Sequence, residues 1–238
     1  MKLVGDLHCH TIASGHAYST IQEIAQQANK KGLEVIAITD HCGNLPGAPH
    51  YWYFWNLKSS VPEEIDGVRI LKGVEANIID YNGTIDLSEE VLERLDIVIA
   101  SFHDPCFEPI SIKENTRAVI NAIKNPYVRI IGHPDNPLFQ VDIDEVVAAA
   151  KEYGKVIELN NKSPLVRKGC ELNTLKFAEK SKEYGTQMSC GSDAHISFEV
   201  GEFDIVRKII DELAIPEDLI LNTSKEKILR FIKNKKHK

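Results

Sequence analysis

The chain has 238 residues, 43% hydrophobic and 26% charged, with a formal net charge of −7. That balance excludes a disordered or fibrous chain, and the acidic surplus leaves no broad basic surface of the kind nucleic-acid backbones require. Five scattered cysteines without a C-x-x-C pair do not read as a disulfide framework; with no apolar signal core and no run of about 18 apolar residues, a cytoplasmic chain without a membrane span is expected.

Short β-branched runs at 2–7, 35–39, 68–74, 97–100, 128–131, 156–159 and 186–189 predict seven strands, each pair separated by room for a helix. The first helix opens at Thr20, an N-cap with Glu23 three residues later, and closes at Gly32, with Ile21, Ile24, Ala25 and Ala28 on one face. His50 lies in an aromatic loop (Tyr51, Trp52, Tyr53, Phe54, Trp55), and Asn82-Gly83 predicts a hairpin turn after the third strand. Helical patterns occupy 88–95, 111–124, 142–153 and 171–184, then 205–213 and 224–233, and the basic tail Lys235-Lys236-His237-Lys238 reads as a solvated end. No Pro/Gly/Ser-rich linker divides the chain, so residues 1–238 are expected to form a single domain. Bare edges on seven parallel strands invite aggregation, which favours closure into a barrel; periodicity by itself leaves a doubly wound open sheet as the alternative.

The polar chemistry collects at strand ends. His8 and His10 follow the first strand, His41 the second, Glu75 the third, His103 the fourth, His133 the fifth, and Asp193 with His195 the seventh, while His16 lies in the first loop. In parallel β/α folds the C-terminal ends of strands converge on one site. Residues two apart on an extended segment share a face, so His8-Cys9-His10 presents two imidazoles together and Asp193-Ala194-His195 a carboxylate and an imidazole, with Cys9 turned away. Glu75 offers two carboxylate oxygens and is the natural bridge between cations. Asp40 is expected either to bind metal or, the favoured reading, to hydrogen-bond a liganding imidazole. Imidazoles with a few oxygens suit Zn²⁺ first and also accept Mn²⁺ or Fe²⁺. Nine ligands exceed the needs of one four-coordinate ion, which implies two or three. Arg167 and Lys168, after the sixth strand, are the basic side chains nearest to a substrate phosphate, whereas His50 and His237 stand apart from the strand ends and are not counted as ligands.

Assembled, these residues give the segments Asp6-Leu7-His8-Cys9-His10-Thr11, His16-Ala17-Tyr18-Ser19-Thr20, Thr39-Asp40-His41, Gly73-Val74-Glu75-Ala76-Asn77, Phe102-His103, Gly132-His133-Pro134, Glu158-Leu159-Asn160-Asn161 and Gly191-Ser192-Asp193-Ala194-His195. In them the chain resembles, end to end, the PHP (polymerase and histidinol phosphatase) superfamily, and within it the stand-alone YcdX-type phosphatases. The resemblance implies a distorted (β/α)7, TIM-like barrel with a trinuclear zinc-type centre. One ion would take His8, His10, Glu75 and Asp193; a second Glu75, His103 and His133; a third His16, His41 and His195. It further implies hydrolysis of a small phosphorylated metabolite by a metal-bound hydroxide. Asp104 and Asp135 depart from the family pattern at positions that bear on substrate. The alternatives are a phosphodiesterase or nuclease of the same family, an amide-bond metallohydrolase and a metal-storage protein; a homo-oligomeric state is left open.

Overall fold

The computed structural model describes residues 1–234; the predicted basic tail, His237 included, lies outside the described residues. In chain order the elements are β1 (Gly5–Cys9), α1 (Ile21–Lys30), β2 (Val35–Ile38), α2 (Trp52–Ser60), β3 (Glu64–Ile65), β4 (Val68–Asn77), α3 (Glu89–Leu92) and β5 (Ile97–Ser101). They continue with α4 (Ile112–Lys124), β6 (Ile130–Ile131), α5 (Ile143–Glu152), β7 (Val156–Asn160), α6 (Ser163–Val166), α7 (Glu171–Tyr184), β8 (Met188–Gly191), α8 (Asp204–Glu212) and α9 (Lys225–Lys233). Seven strands pair in parallel in the order β1-β2-β4-β5-β6-β7-β8, with β3 antiparallel beside β4. The two ends of that order meet: the His10 amide donates to Ala194 O at 2.8 Å and the Asp193 amide to His8 O at 3.0 Å. The sheet is therefore a nearly closed barrel, not an open doubly wound one. No helix among the described residues is long and apolar enough to cross a membrane.

Local chemistry explains the elements that position the site. Thr20 and Glu23 form the reciprocal capping box expected of them, the Glu23 amide donating to Thr20 Oγ1 and the Thr20 amide to Glu23 Oε2, and α1 buries Ile24, Ala25 and Ala28. Along each strand alternate residues face the barrel interior, and those inner positions change character in the chain direction. On β4 they run Leu71, Gly73, Glu75, Asn77; on β7, Val156, Glu158, Asn160. The apolar ends of these series pack with Leu7, Val35, Ala37, Ile97, Ile99 and Ile130 in one core cluster, whose floor is Leu221, Ile228 and Ile232 from the C-terminal segment and α9. The last helix thus plugs the N-terminal end of the barrel. Gly5 makes room for it, since a Cβ there would stand 2.5 Å from Ile228 Cδ1.

Several boundaries differ from expectation. β1 was expected over 2–7, ahead of the histidines, but runs to Cys9 and contains His8; β4 runs to Asn77 and contains Glu75. Apolar patterning stops where ligands begin, although the backbone pairing continues. The aromatic loop is partly helical: α2 buries Phe54 and Leu57, and it was hidden because Tyr51 at its start supplies no side-chain cap. The helix expected over 88–95 shrinks to α3. The Asn82-Gly83 turn is present, with the Ile79 amide donating to Thr84 O at 2.9 Å and Gly83 at φ 74°.

Candidate metal centre

A β-bulge aims the first two imidazoles. In the β1–β2 register Asp6 pairs with Ile36 and Cys9 with Ile38, so Leu7 and His8 together stand opposite Ala37 alone. The extra residue changes parity, and His8 joins His10 on the inner face while Cys9 packs outward among Ile24, Ile36 and Ile38.

Glu75, fully buried, is the hub of the site. Its Oε2 lies 2.8 Å from His41 Nδ1, 3.2 Å from His8 Nε2 and 3.5 Å from His10 Nε2; its Oε1 lies 2.8 Å from His133 Nε2 and 3.3 Å from His103 Nε2. Asp193 Oδ1 is 3.2 Å from His10 Nε2 and 3.5 Å from His195 Nδ1. The His16 ring stands 5.0 Å from that of His41 and 4.9 Å from that of His195. All nine predicted ligands are therefore neighbours. The expected partition among ions is less clean. Ligand atoms mutually within 4.8 Å form the triads His8-His10-Glu75, His10-His41-His195 and His41-Glu75-His103, so His10 and His41 each belong to two groups. His133 and Asp193 occupy strained backbone, with φ of 26° and 55°.

These residues fit divalent cations. Among the described residues, eleven buried side-chain nitrogen or oxygen atoms lack a hydrogen-bond partner, and five face one another here: His8 Nε2, His10 Nε2, His41 Nδ1, His103 Nε2 and Glu75 Oε2; His133 turns its Nε2 to Glu75 Oε1 and leaves Nδ1 unpaired on the other side of its ring. The opposite ring nitrogens are held. His8 Nδ1 donates to Glu158 Oε1 at 2.7 Å and His103 Nδ1 to Asn77 Oδ1 at 2.6 Å. Asn77 is oriented by its own amide, which donates to Cys42 O at 2.7 Å. Such contacts leave each Nε2 lone pair turned into the cluster.

Electrostatics agree with the geometry. Burial opposes ionisation of Glu75, but His8, His103 and His41 outweigh it and hold the carboxyl well below its usual range; at Asp193, His8, His10 and Arg167 likewise overcome burial. Burial, reinforced by His41, keeps the His10 imidazole neutral, and burial lowers His103 to about 4 against the pull of Glu75. At His8 burial loses to Glu158, Glu75 and Asp193, which raise its pKa. The pocket combines ionised carboxylates with neutral imidazoles at His10 and His103, while His8 favours its protonated form.

Asp40 does not face the cluster. Its Oδ1 accepts the Thr11 amide (2.6 Å) and Ser14 Oγ (2.7 Å), and its Oδ2 accepts Thr11 Oγ1 (2.9 Å) and the Tyr53 hydroxyl (2.5 Å). Ser14 Oγ in turn receives the His41 amide and lies 3.3 Å from His10 Nδ1, so Asp40 reaches an imidazole through Ser14, not directly. Arg167 reaches inward, with Nη2 3.3 Å from Asp193 Oδ2 and Nη1 donating to Ser163 Oγ, whereas Lys168 is exposed. His50 is exposed against Tyr51 and Trp52, away from the cluster. Asp104 is exposed, while Asp135 is buried and accepts hydroxyls from Ser163 and Thr174. Sequence reasoning assigned no role to Glu158, Asn77, Ser14 or Tyr53; for the first, the available signal was a lone acid inside the apolar run Val156-Ile157-Glu158-Leu159.

Known proteins are similar to this chain. A protein named probable phosphatase from Thermoanaerobacter sp. strain X514 is 58% identical over 240 residues, spanning 100% of this chain and 98% of its own. One of the same name from Acetivibrio thermocellus is 57% identical over 238 residues, with the same coverage. Among solved structures, histidinol phosphate phosphatase from Lactococcus lactis, complexed with zinc, L-histidinol and phosphate, superposes with a TM-score of 0.61 at 17% identity, covering 89% of this chain and 94% of its own. At that identity the likeness shows a shared fold. The family described as PHP domain matches residues 6–174, and with relatives of this identity along the full length, the chain belongs to the PHP domain family.

Proposed function

We propose that the chain is a metal-dependent phosphatase, hydrolysing phosphate monoesters of small metabolites at a centre of three zinc-type cations. The ligands are His8, His10, His16, His41, Glu75, His103, His133, Asp193 and His195. The observation that carries this reading is the group of five buried, unpartnered nitrogen and oxygen atoms formed by Glu75 Oε2 and the imidazoles of His8, His10, His41 and His103. Each would cost about 1–3 kcal/mol if left unsatisfied, and a cation that accepts their lone pairs removes that cost. Names of close relatives support the phosphatase assignment, and a shared fold with a structure holding zinc and phosphate supports the metal.

Bound in this pocket, divalent cations supply the positive charge that phosphate oxygens need and lower the pKa of water. The chain's own residues do the remainder. Glu75 turns one oxygen toward His8, His10 and His41 and the other toward His103 and His133, so its carboxylate would hold a cation on either side. Arg167, with Lys168 next to it in the chain, would meet an ester's phosphoryl oxygens; contacts of its guanidinium with Ser163 and Asp193 support that reading. No side-chain nucleophile is required. Cys9, Cys42 and Cys190 are buried, and burial pushes each thiol up, away from the reactive thiolate.

The test is phosphate release from a panel of phosphomonoesters before and after exhaustive chelation, with Zn²⁺ and Mn²⁺ added back. Loss on chelation and recovery on re-addition are expected, with neither ammonia release from amides nor diester cleavage at a comparable rate. Full activity in metal-free protein would sink the proposal, and preferential cleavage of diesters would move it to the nuclease alternative.

A further inference from the structure

One buried acid is used by none of the ligand assignments. Glu158, on the inner face of β7, is 3% exposed. Its Oε1 accepts His8 Nδ1 at 2.7 Å, and its Oε2 accepts the His133 backbone amide at 2.7 Å and Asn160 Nδ2 at 3.2 Å. These donors come from the first, fifth and sixth parallel strands or the loops just beyond them. A buried carboxylate serving packing alone would ordinarily be met by a lysine or arginine. Here the donors are two proposed ligand residues and an amide that also reaches Asp193 Oδ2 at 3.2 Å.

From this geometry we infer that Glu158 is a positioning residue that locks His8 and His133 to each other from outside the ligand shell, opposite the bridge that Glu75 makes from inside. The inference rests on the metal-centre reading. Its physical basis is that two cation positions sharing Glu75 need their other ligands at a fixed separation, and one rigid carboxylate with two acceptor oxygens supplies it. On the His8 side Glu158 accepts the Nδ1–H hydrogen bond at 2.7 Å, which fixes the tautomer whose Nε2 is the lone-pair donor. On the His133 side it holds the N–H of a residue whose φ of 26° is otherwise disfavoured for a side chain of this size.

Neighbouring backbone is shaped around this acid. Across the β7–β8 pair stands Gly191, where a Cβ would lie 2.1 Å from Glu158 Oε1 and 2.9 Å from His8 Cβ. Any larger residue there must displace the carboxylate, the imidazole or both. Glutamine is not a conservative replacement for Glu158 either. It offers one acceptor oxygen and one N–H₂ group to a ring of donors, so one of the two principal contacts becomes donor against donor.

The experiment compares wild-type protein with Glu158→Gln, Gly191→Ala and His8→Ala, each stripped of metal and then titrated with Zn²⁺ against a chromogenic chelator. Melting of the metal-free forms is recorded in parallel. Zinc affinity is expected to fall roughly 10–100-fold in Glu158→Gln, the range typical of residues that orient metal ligands, and in the same direction in Gly191→Ala. Wild-type affinity in Glu158→Gln alongside zinc loss in His8→Ala would overturn this inference and leave the metal centre standing. Full zinc content in His8→Ala would overturn both. A Glu158→Gln variant that loses as much stability without metal as with it, and no affinity, would make the acid merely structural and also defeat the inference. A measurement free of any variant's folding is the proton spectrum of zinc-loaded wild type. A downfield, exchange-protected His8 Nδ1–H resonance is expected, and its absence would count against Glu158 as the acceptor.

Discussion

The two ends of the barrel's inner face are built from the same strands and solve opposite problems. At the N-terminal end the inward positions Leu7, Val35, Leu71, Ile97, Ile130 and Val156 close on Leu221, Ile228 and Ile232. The buried cations near that end find carbonyls: Lys155 Nζ donates to Val128 O at 2.6 Å and Asn125 O at 2.9 Å, and Arg129 donates to Phe231 O and Asn234 O at the end of α9. Further along the same strands and in the loops just beyond them, nitrogens and oxygens crowd together with their lone pairs unmatched. One end is arranged for stability and the other for a ligand: at the first, Arg129 Nε aside, carbonyls meet the buried cations, whereas at the second the unpaired atoms gather in one cluster.

Substitutions at the two ends should therefore separate function from folding. The largest effect is expected at Glu75→Ala, which removes the oxygens facing five imidazoles. Phosphate release should fall by more than the roughly 10²–10³-fold that a single lost charge-stabilising donor costs, and metal per chain, read by elemental analysis, should drop with it. Unchanged metal stoichiometry would break the contrast at the polar end. Next comes Ile228→Ala in the plug, where a cavity under the barrel should lower stability by about 2–5 kcal/mol in urea unfolding. Zinc content at low denaturant should stay at the wild-type level; metal loss there would show that the two ends are coupled. A smaller loss, about 1–3 kcal/mol, is expected for Lys155→Met, which strands the buried Val128 carbonyl and the partly buried Asn125 carbonyl, again with metal content unchanged. The smallest effect should come from His50→Ala, an exposed imidazole outside the cluster, within about ±0.5 kcal/mol. Loss of an ion in that variant would mean the cluster extends into the aromatic segment.

Much of the polar end was legible before any coordinates. His10, His41, His103, His133 and His195 follow apolar runs, and parallel β/α architecture sends such positions to one place. His8 shows the limit. Strict alternation from Leu7 would turn it outward, and only the bulge opposite Ala37, invisible to a period-two pattern, brings it in. Glu75 was expected just past its strand and is inside it, because pairing with β5 continues through Asn77. Asp40 was expected to touch an imidazole and instead acts through Ser14. Glu158 and Asn77 went unassigned because an acceptor behind a ligand leaves no periodic trace. The partition of ligands among ions was drawn from resemblance, and the triads sharing His10 and His41 do not separate that way.

By itself the sequence determined the alternation of strand and helix, the identity of the nine clustered side chains and the end of the barrel where they gather. Each of these follows from local period and residue type, which a chain carries without folding. Closure of β1 against β8, the bulge that reorients His8, the α9 plug and the reach of Glu158 to His8, 150 residues away in the chain, were decided only in three dimensions. They depend on which distant segments pair and in what register, and that is settled by the packing of the whole barrel, not by any stretch of it.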